Sequence, residues 1–213
     1  MAPRPTDLRR PHAPPTGVLW DVGNIIVRWD PRTLYSKIFL DPDERDRFLK
    51  DVCTQAWHDE HDRGRTMAEG VARLTAQFPD QAPAIAAWKD RWGEMFSGVI
   101  PETVQAIEAL AARDVPMFGL TNMSAETAPE TFAMDPAFGH LRLIVVSGEV
   151  GLLKPDPRLF NLALERIGRP ADSLLFVDDN PANIAAARQL GFATHLFADP
   201  AALAPALEGF GLL

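Results

Sequence analysis

Four short apolar runs set the frame: Val18-Leu19-Trp20, residues 115–120, Leu143-Ile144-Val145-Val146 and Leu174-Leu175-Phe176-Val177. None alternates apolar with polar residues, which is the pattern of strands covered on both faces, as in a parallel sheet between helices. Each run stops at polar side chains: Asp21, Thr121-Asn122, Ser147-Gly148-Glu149 and Asp178-Asp179. Open α/β sheets bind their ligands beyond the carboxyl ends of the strands, so the chemistry is expected at these tips. A lone aspartate at a strand end is also an ordinary turn residue; the repetition is what favours a site. Pro116 marks a loosely paired start for the second run, because it has no N–H to give the ladder.

With 213 residues the chain can hold one α/β domain plus an insertion. The formal charge of −8 argues against a nucleic-acid or anionic-membrane surface. Cys53 is the only cysteine, which excludes an internal disulfide and a cysteine-based zinc site. No apolar stretch approaches the length of a membrane-spanning helix. The expectation is a cytoplasmic protein, monomer or homodimer. Residues 1–16 carry Pro3, Pro5, Pro11, Pro14 and Pro15 with Arg4, Arg9 and Arg10, and read as a disordered lead-in without the apolar segment of a signal peptide.

From residue 31 the spacing turns helical. Four stripes follow: Leu34, Ile38 and Phe39; Phe48, Leu49 and Val52; Met67, Val71, Leu74 and Phe78; and Ile85, Trp88, Trp92, Met95 and Phe96. Asp41-Pro42 separates the first two, and Thr66 is the expected N-cap of the third. The predicted organisation is a core of residues 17–30 and 99–213 with a helical cap of 31–98. Trp88 and Trp92 read as cap core rather than as a sugar-stacking platform. Between the second and third stripes lie Trp57, His58, His61, Asp62, Arg63 and Arg65. Residue by residue this is a solvated polar stretch, and His58 and His61 lack a third ligand at metal-binding spacing. As a group, His58, His61, Arg63 and Arg65 are candidate contacts to a substrate phosphate.

Thr121-Asn122-Met123-Ser124 reads as a hydroxyl and an amide before a helix capped by Ser124, whose free N–H groups favour anions. Lys154 stands between Gly151 and a helix opened by Asp156-Pro157, and Pro155 keeps it extended. Asn180 and Pro181 open a further helix in the same way. The adjacent carboxylates Asp178 and Asp179 repel unless a cation is shared. Hard oxygen ligands from separate strand ends suit Mg²⁺ meeting a substrate phosphate.

Asp21 in Asp-Val-Gly-Asn, Thr121 in Leu-Thr-Asn, Lys154 in Leu-Lys-Pro-Asp and the Asp178-Asp179 pair resemble, in order, the four signature motifs of the haloacid dehalogenase-like hydrolase superfamily. Each motif is weak alone; four in order are specific. The resemblance covers nearly everything from Gly17 onward, with the insertion matching the small cap after the first motif. Asp-x-Gly-Asn, Asp62-Arg63-Gly64 and Phe-x-Asp-Asp-Asn are similar to the sugar-phosphatase branch that includes bacterial α-glucose-1-phosphatase.

The resemblance implies a Rossmann-like α/β fold with sheet order 3-2-1-4-5 and a Mg²⁺-dependent phosphomonoesterase acting on a small phosphorylated metabolite, such as a sugar phosphate. Asp21 would be the nucleophile. Thr121, the Asn122 N–H and Lys154 would neutralise phosphoryl charge. Mg²⁺ would be held by the Asp21 carboxylate, the Gly23 carbonyl and Asp179, with Asp178 in the outer shell or holding Lys154. Two rivals share these residues: a metal-free 2-haloacid dehalogenase, disfavoured by the Asp178-Asp179 pair, and a catalytically weak phospholigand-binding protein, disfavoured by the intact nucleophile and lysine.

One position departs from the family. Most of its phosphatases carry a second Asp two residues after the nucleophile, as acid for the leaving group and base for water; here that position is Gly23. Losing such a group typically costs about 10²–10⁴-fold in rate. The departing oxygen is then expected to rely on water or on a cap residue such as His58 or His61. A sugar 1-phosphate should accordingly be cleaved faster than its 6-phosphate isomer.

Overall fold

The computed structural model describes residues 14–213. The lead-in expected to be disordered lies outside the described residues as far as residue 13; Thr16 donates its N–H to the Ser173 carbonyl at 2.9 Å. Along the chain the strands are β1 (Gly17–Trp20), β2 (Val27–Trp29), β3 (Phe96–Val99), β4 (Met117–Thr121), β5 (Leu141–Val146), β6 (Leu174–Asp178) and β7 (Ala193–Leu196). Five of them form a sheet in the order β5-β4-β1-β6-β7, every pairing parallel. Numbered among themselves these are 3-2-1-4-5, the order that the resemblance implied.

The helices are α1 (Pro31–Tyr35), α2 (Pro42–Asp51), α3 (Gln55–Asp62), α4 (Met67–Gln77), α5 (Ala82–Asp90), α6 (Pro101–Ala111), α7 (Ala128–Phe132), α8 (Ser147–Val150), α9 (Pro157–Ile167), α10 (Pro181–Gln189) and α11 (Leu203–Gly209). Successive strand residues point to opposite faces. Val18 and Trp20 therefore pack with Ile107 and Leu110 of α6 and Leu203 and Leu207 of α11. Leu19 packs on the other face with Leu159 and Phe160 of α9 and Ile184 and Ala187 of α10. Burial on both faces is what the unbroken apolar runs required. No helix among the described residues is long and apolar enough to cross a membrane.

Helices α1–α5 lie between β2 and β3, which pair antiparallel and carry the chain out of the core and back. They have an apolar cluster of their own, with Leu34, Tyr35, Phe48, Ile85 and Trp88 at its centre. Thr66, Asp156 and Asn180 cap their helices through side-chain bonds, as predicted, and Asp41 does the same for α2. Phe96 does not extend the fourth stripe. Helix α5 ends at Asp90, Trp92–Met95 makes a 3₁₀ turn, and Phe96 opens β3 opposite Trp29.

The segment expected to be a solvated polar stretch is helix α3, with Trp57, His58, His61 and Asp62 all buried. Thr54 caps it, its hydroxyl accepting the Trp57 N–H at 3.1 Å. Its polar side chains are buried because aromatic rings from distant segments cover them. Trp29 stacks on His58 with ring centroids 5.1 Å apart, and Trp88 meets Trp57 edge-on at 5.3 Å. His61 is fully buried against α4, where a Cβ built on Gly70 would collide with its imidazole. Alanine is the better helix former by about 1 kcal/mol, but overpacking a tight site costs about 1–3 kcal/mol. Gly70→Ala should therefore lower the thermal midpoint; an unchanged or raised midpoint would contradict this packing.

Candidate active site

Because β4 and β6 flank β1, their tips bring Thr121, Asp178 and Asp179 beside Asp21. The Asp21 N–H donates to the Val177 carbonyl at 2.9 Å, which fixes the tip of β1 against β6. The Asp21 Oδ1 accepts the Val22 N–H at 2.7 Å and faces the Lys154 ammonium, also at 2.7 Å. That ammonium donates equally to Asp178 Oδ2, at 2.8 Å. Lys154 reaches the site from the loop before α9, and Asn122 holds it there. The Lys154 N–H donates to Asn122 Oδ1 at 2.8 Å, and Asn122 Nδ2 returns a bond to the Lys154 carbonyl at 3.1 Å. The amide fixes the backbone from which the lysine side chain starts, and Asp21 and Asp178 hold its ammonium.

Asp178 is fully buried and its oxygens are taken. Besides Lys154, they accept the Asn180 N–H at 2.8 Å and both Asn183 Nδ2 contacts at 3.0 Å. Asp179 is exposed at the rim, yet its oxygen, with one each from Asp21 and Asp178, falls within a 4.8 Å cluster. Three carboxylates surround a single ammonium, so the site is short of positive charge. Burial pushes the Asp21 carboxyl up to about 7; Lys154 opposes the shift and Asp178 adds to it. Burial pulls Lys154 down, but Asp21 and Asp178 outweigh it and hold the ammonium above the usual lysine range. Asp179 is raised by burial and then by Asp178. A hard dication with oxygen ligands fits this donor set. With Asp178 engaged elsewhere, Asp21 and Asp179, and Gly23 on the same wall, are the residues that could hold it.

The tips open into a cavity of about 190 Å³. Asp21, Gly23, Thr121, Lys154 and Asp179 form its floor. Trp29 and Phe96 of the β2–β3 ribbon, His58 and Asp62 of α3, and Trp92 form its roof. Roof and floor are joined by Ser147, whose hydroxyl accepts the Met123 N–H at 2.9 Å and donates to the Asp62 carbonyl at 2.7 Å. A second tie runs from the Met67 N–H to the Glu126 carboxylate at 3.2 Å.

A family model for haloacid dehalogenase-like hydrolases matches residues 16–191, most of the chain. The chain belongs to the haloacid dehalogenase-like hydrolases. Among curated proteins this hydrolase is similar to drimenol cyclase drtB of Aspergillus calidoustus, 25% identical over 183 residues, which are 84% of this chain and 33% of that protein. It is also similar to a phosphoserine phosphatase of Thermus thermophilus, 28% identical over 120 residues, 56% of this chain and 41% of that one. The matches thus span less than half the length of either relative. Its fold is shared with a HAD family enzyme of Bacteroides thetaiotaomicron solved in complex with magnesium and inorganic phosphate, at a TM-score of 0.63 and 19% identity over 85% of this chain and 93% of that one.

In this haloacid dehalogenase-like hydrolase the four motif positions meet as the sequence predicted, but the expected phosphate contacts divide. His58 lines the cavity; His61, Arg63 and Arg65 do not. Helix α3 puts His58 and Asp62, four residues apart, on one face and turns His61 toward α4. Arg63 is exposed, and Arg65 is paired with Glu60. The helix expected to start at Ser124 begins only at Ala128, and the Ser124 hydroxyl accepts the Glu126 N–H instead, so no helix N-terminus adjoins Thr121. Trp88 is buried in the helical cluster, as expected, whereas Trp92 belongs to that cluster and also edges the cavity.

His58 is ill suited to donate a proton, because burial, and then His61, push it down to about 4. Its partner in the roof was missed from the sequence: Asp62 Oδ2 lies 3.5 Å from His58 Nε2. The His58-x-x-x-Asp62 spacing behind a Thr54 cap is the signal that could have shown it.

Proposed function

We propose that this hydrolase is a Mg²⁺-dependent phosphomonoesterase, acting on a small sugar phosphate through a phosphorylated Asp21, with helices α1–α5 as a cap over the site. The observation that carries the reading is Lys154, fixed between Asp21 and Asp178 and bordered by Asp179. A phosphoserine phosphatase among the relatives and the magnesium–phosphate complex on the same fold support it.

Asp21 attacks phosphorus in line, and water then attacks phosphorus of the resulting acyl phosphate. The Lys154 ammonium and the Thr121 hydroxyl stabilise charge on the phosphoryl oxygens. Mg²⁺, when bound, neutralises further phosphate charge. Asp178 and Asn122 hold Lys154 so that little reorganises during reaction. Trp29, Trp92 and Phe96 exclude water from the roof. Ligand pockets usually exceed about 300 Å³, so a cavity of about 190 Å³ favours a small metabolite. Trp29 Nε1, Trp92 Nε1 and His58 Nδ1 are buried without partners among the described residues. Such groups ordinarily find a bond, and sugar hydroxyls beside aromatic rings would supply it.

Phosphate release from a panel of sugar phosphates tests the proposal. Chelator should silence it and Mg²⁺ restore it, and Asp179→Ala should raise the Mg²⁺ needed for half activity by about tenfold or more, as one lost ligand implies. Full phosphate release in excess chelator would show that the reaction needs no metal and would overturn the Mg²⁺ assignment.

A further inference from the structure

Gly23 removes the carboxyl that the family resemblance places beside the nucleophile, but the roof lines the same cavity with another. Asp62 lines the same cavity as Asp21 and Lys154 and is 3% exposed, with Oδ1 free of any partner among the described residues. Its main chain is pinned to the core through Ser147, which also holds Met123, two residues beyond Thr121. Its neighbour His58 is immobilised by stacking on Trp29. We infer that Asp62 is the general acid and base of this site, in place of the missing carboxyl at position 23. This rests on the phosphatase reading.

A structural carboxylate this deeply buried would ordinarily be paired with a cation. Here the facing groups are His58 and Asp59 of its own helix, Arg63 just past the helix end, and the Ser124 amide from the loop after β4. Burial, then Asp59, push the Asp62 carboxyl up to about 7, against the weaker pull of Ser124 and Arg63. Neutral His58 adds no charge. The group is thus protonated below neutral pH and poised to exchange a proton near it, which is what general catalysis requires.

In the first half-reaction an Asp21 oxygen bonds to phosphorus as the bond to the leaving oxygen breaks. That oxygen keeps the electron pair and takes the Asp62 proton. In the second, water attacks phosphorus and gives a proton to the Asp62 carboxylate, and the Asp21–phosphorus bond breaks to restore the nucleophile. Asp62 ends protonated as it began, and no further reactant is needed. The advantage of a sugar 1-phosphate over its 6-phosphate isomer expected from Gly23 is therefore replaced by a shallow dependence on leaving-group basicity.

The experiment measures kcat/KM for alkyl and aryl phosphates of graded leaving-group basicity, with Mg²⁺ present. Wild type should show a shallow slope and, on alkyl substrates, lose rate as pH rises above about 7. Asp62→Asn should lose about 10²–10⁴-fold on alkyl phosphates, lose under about tenfold on dinitrophenyl phosphate, whose phenolate leaves unprotonated, and lack the alkaline limb. A Cβ at Gly23 has nothing within 4 Å, so adding Gly23→Asp to Asp62→Asn should recover part of the alkyl activity. An equal loss on all substrates would make Asp62 a structural part of the roof and overturn the assignment. A steep wild-type slope would overturn it even if the variant failed to fold. No phosphate release from any substrate by wild type would instead sink the phosphatase reading, and this assignment with it.

Discussion

Replacing Asp21 with asparagine should lower kcat by roughly 10⁴–10⁶-fold, the scale seen when a nucleophile is removed from an otherwise intact site. The amide has the same shape and can still accept the Val22 N–H, and Lys154 keeps its bond to Asp178. The thermal midpoint should therefore stay within a few degrees of wild type, and inorganic phosphate should still bind with Mg²⁺. Near-normal turnover by Asp21→Asn would mean that another group attacks phosphorus.

The largest stability effect is expected at Lys154. Methionine there would keep the length of the side chain but leave Asp21 and Asp178, both buried, facing each other without a cation. Removing one partner from a buried ion pair typically costs about 3–5 kcal/mol. For a chain of this size that corresponds to a fall of roughly 6–20 °C in the thermal midpoint. Mg²⁺ would restore part of the missing positive charge, so it should raise the midpoint of Lys154→Met more than that of wild type. Thermal scans of both proteins with and without Mg²⁺ decide this. A Lys154→Met midpoint equal to wild type would remove the lysine from the electrostatic role assigned to it.

What the sequence revealed follows from the kind of interaction involved. Four of the five sheet strands were legible because strands buried on both faces must be apolar, as β1, β4 and β6 are up to their polar tips; the half-buried edge strand β7, Ala-Thr-His-Leu, carries no such run. Caps such as Asp156 and Asn180 were legible because they act within two residues of themselves. Helix α3 was not. Trp57 is its one strongly apolar residue, and burial of His58, His61 and Asp62 depends on Trp29 and Trp88, rings about thirty residues away on either side. The same distance hid the Asn122 clamp on Lys154, which spans 32 residues. Phe96 misled for the opposite reason, since Trp92, Met95 and Phe96 keep helical spacing while the backbone leaves α5 and enters β3. Local chemistry was readable; contacts made by the tertiary fold were not.

The proposed mechanism passes phosphorus through a covalent bond to Asp21. A phosphorothioate monoester made chiral at phosphorus with two oxygen isotopes, hydrolysed in water of the third, reports this in the configuration of the released thiophosphate. Two successive in-line displacements, first by Asp21 and then by water, predict net retention. Net inversion would show a single direct attack by water and would rule out a phosphorylated Asp21.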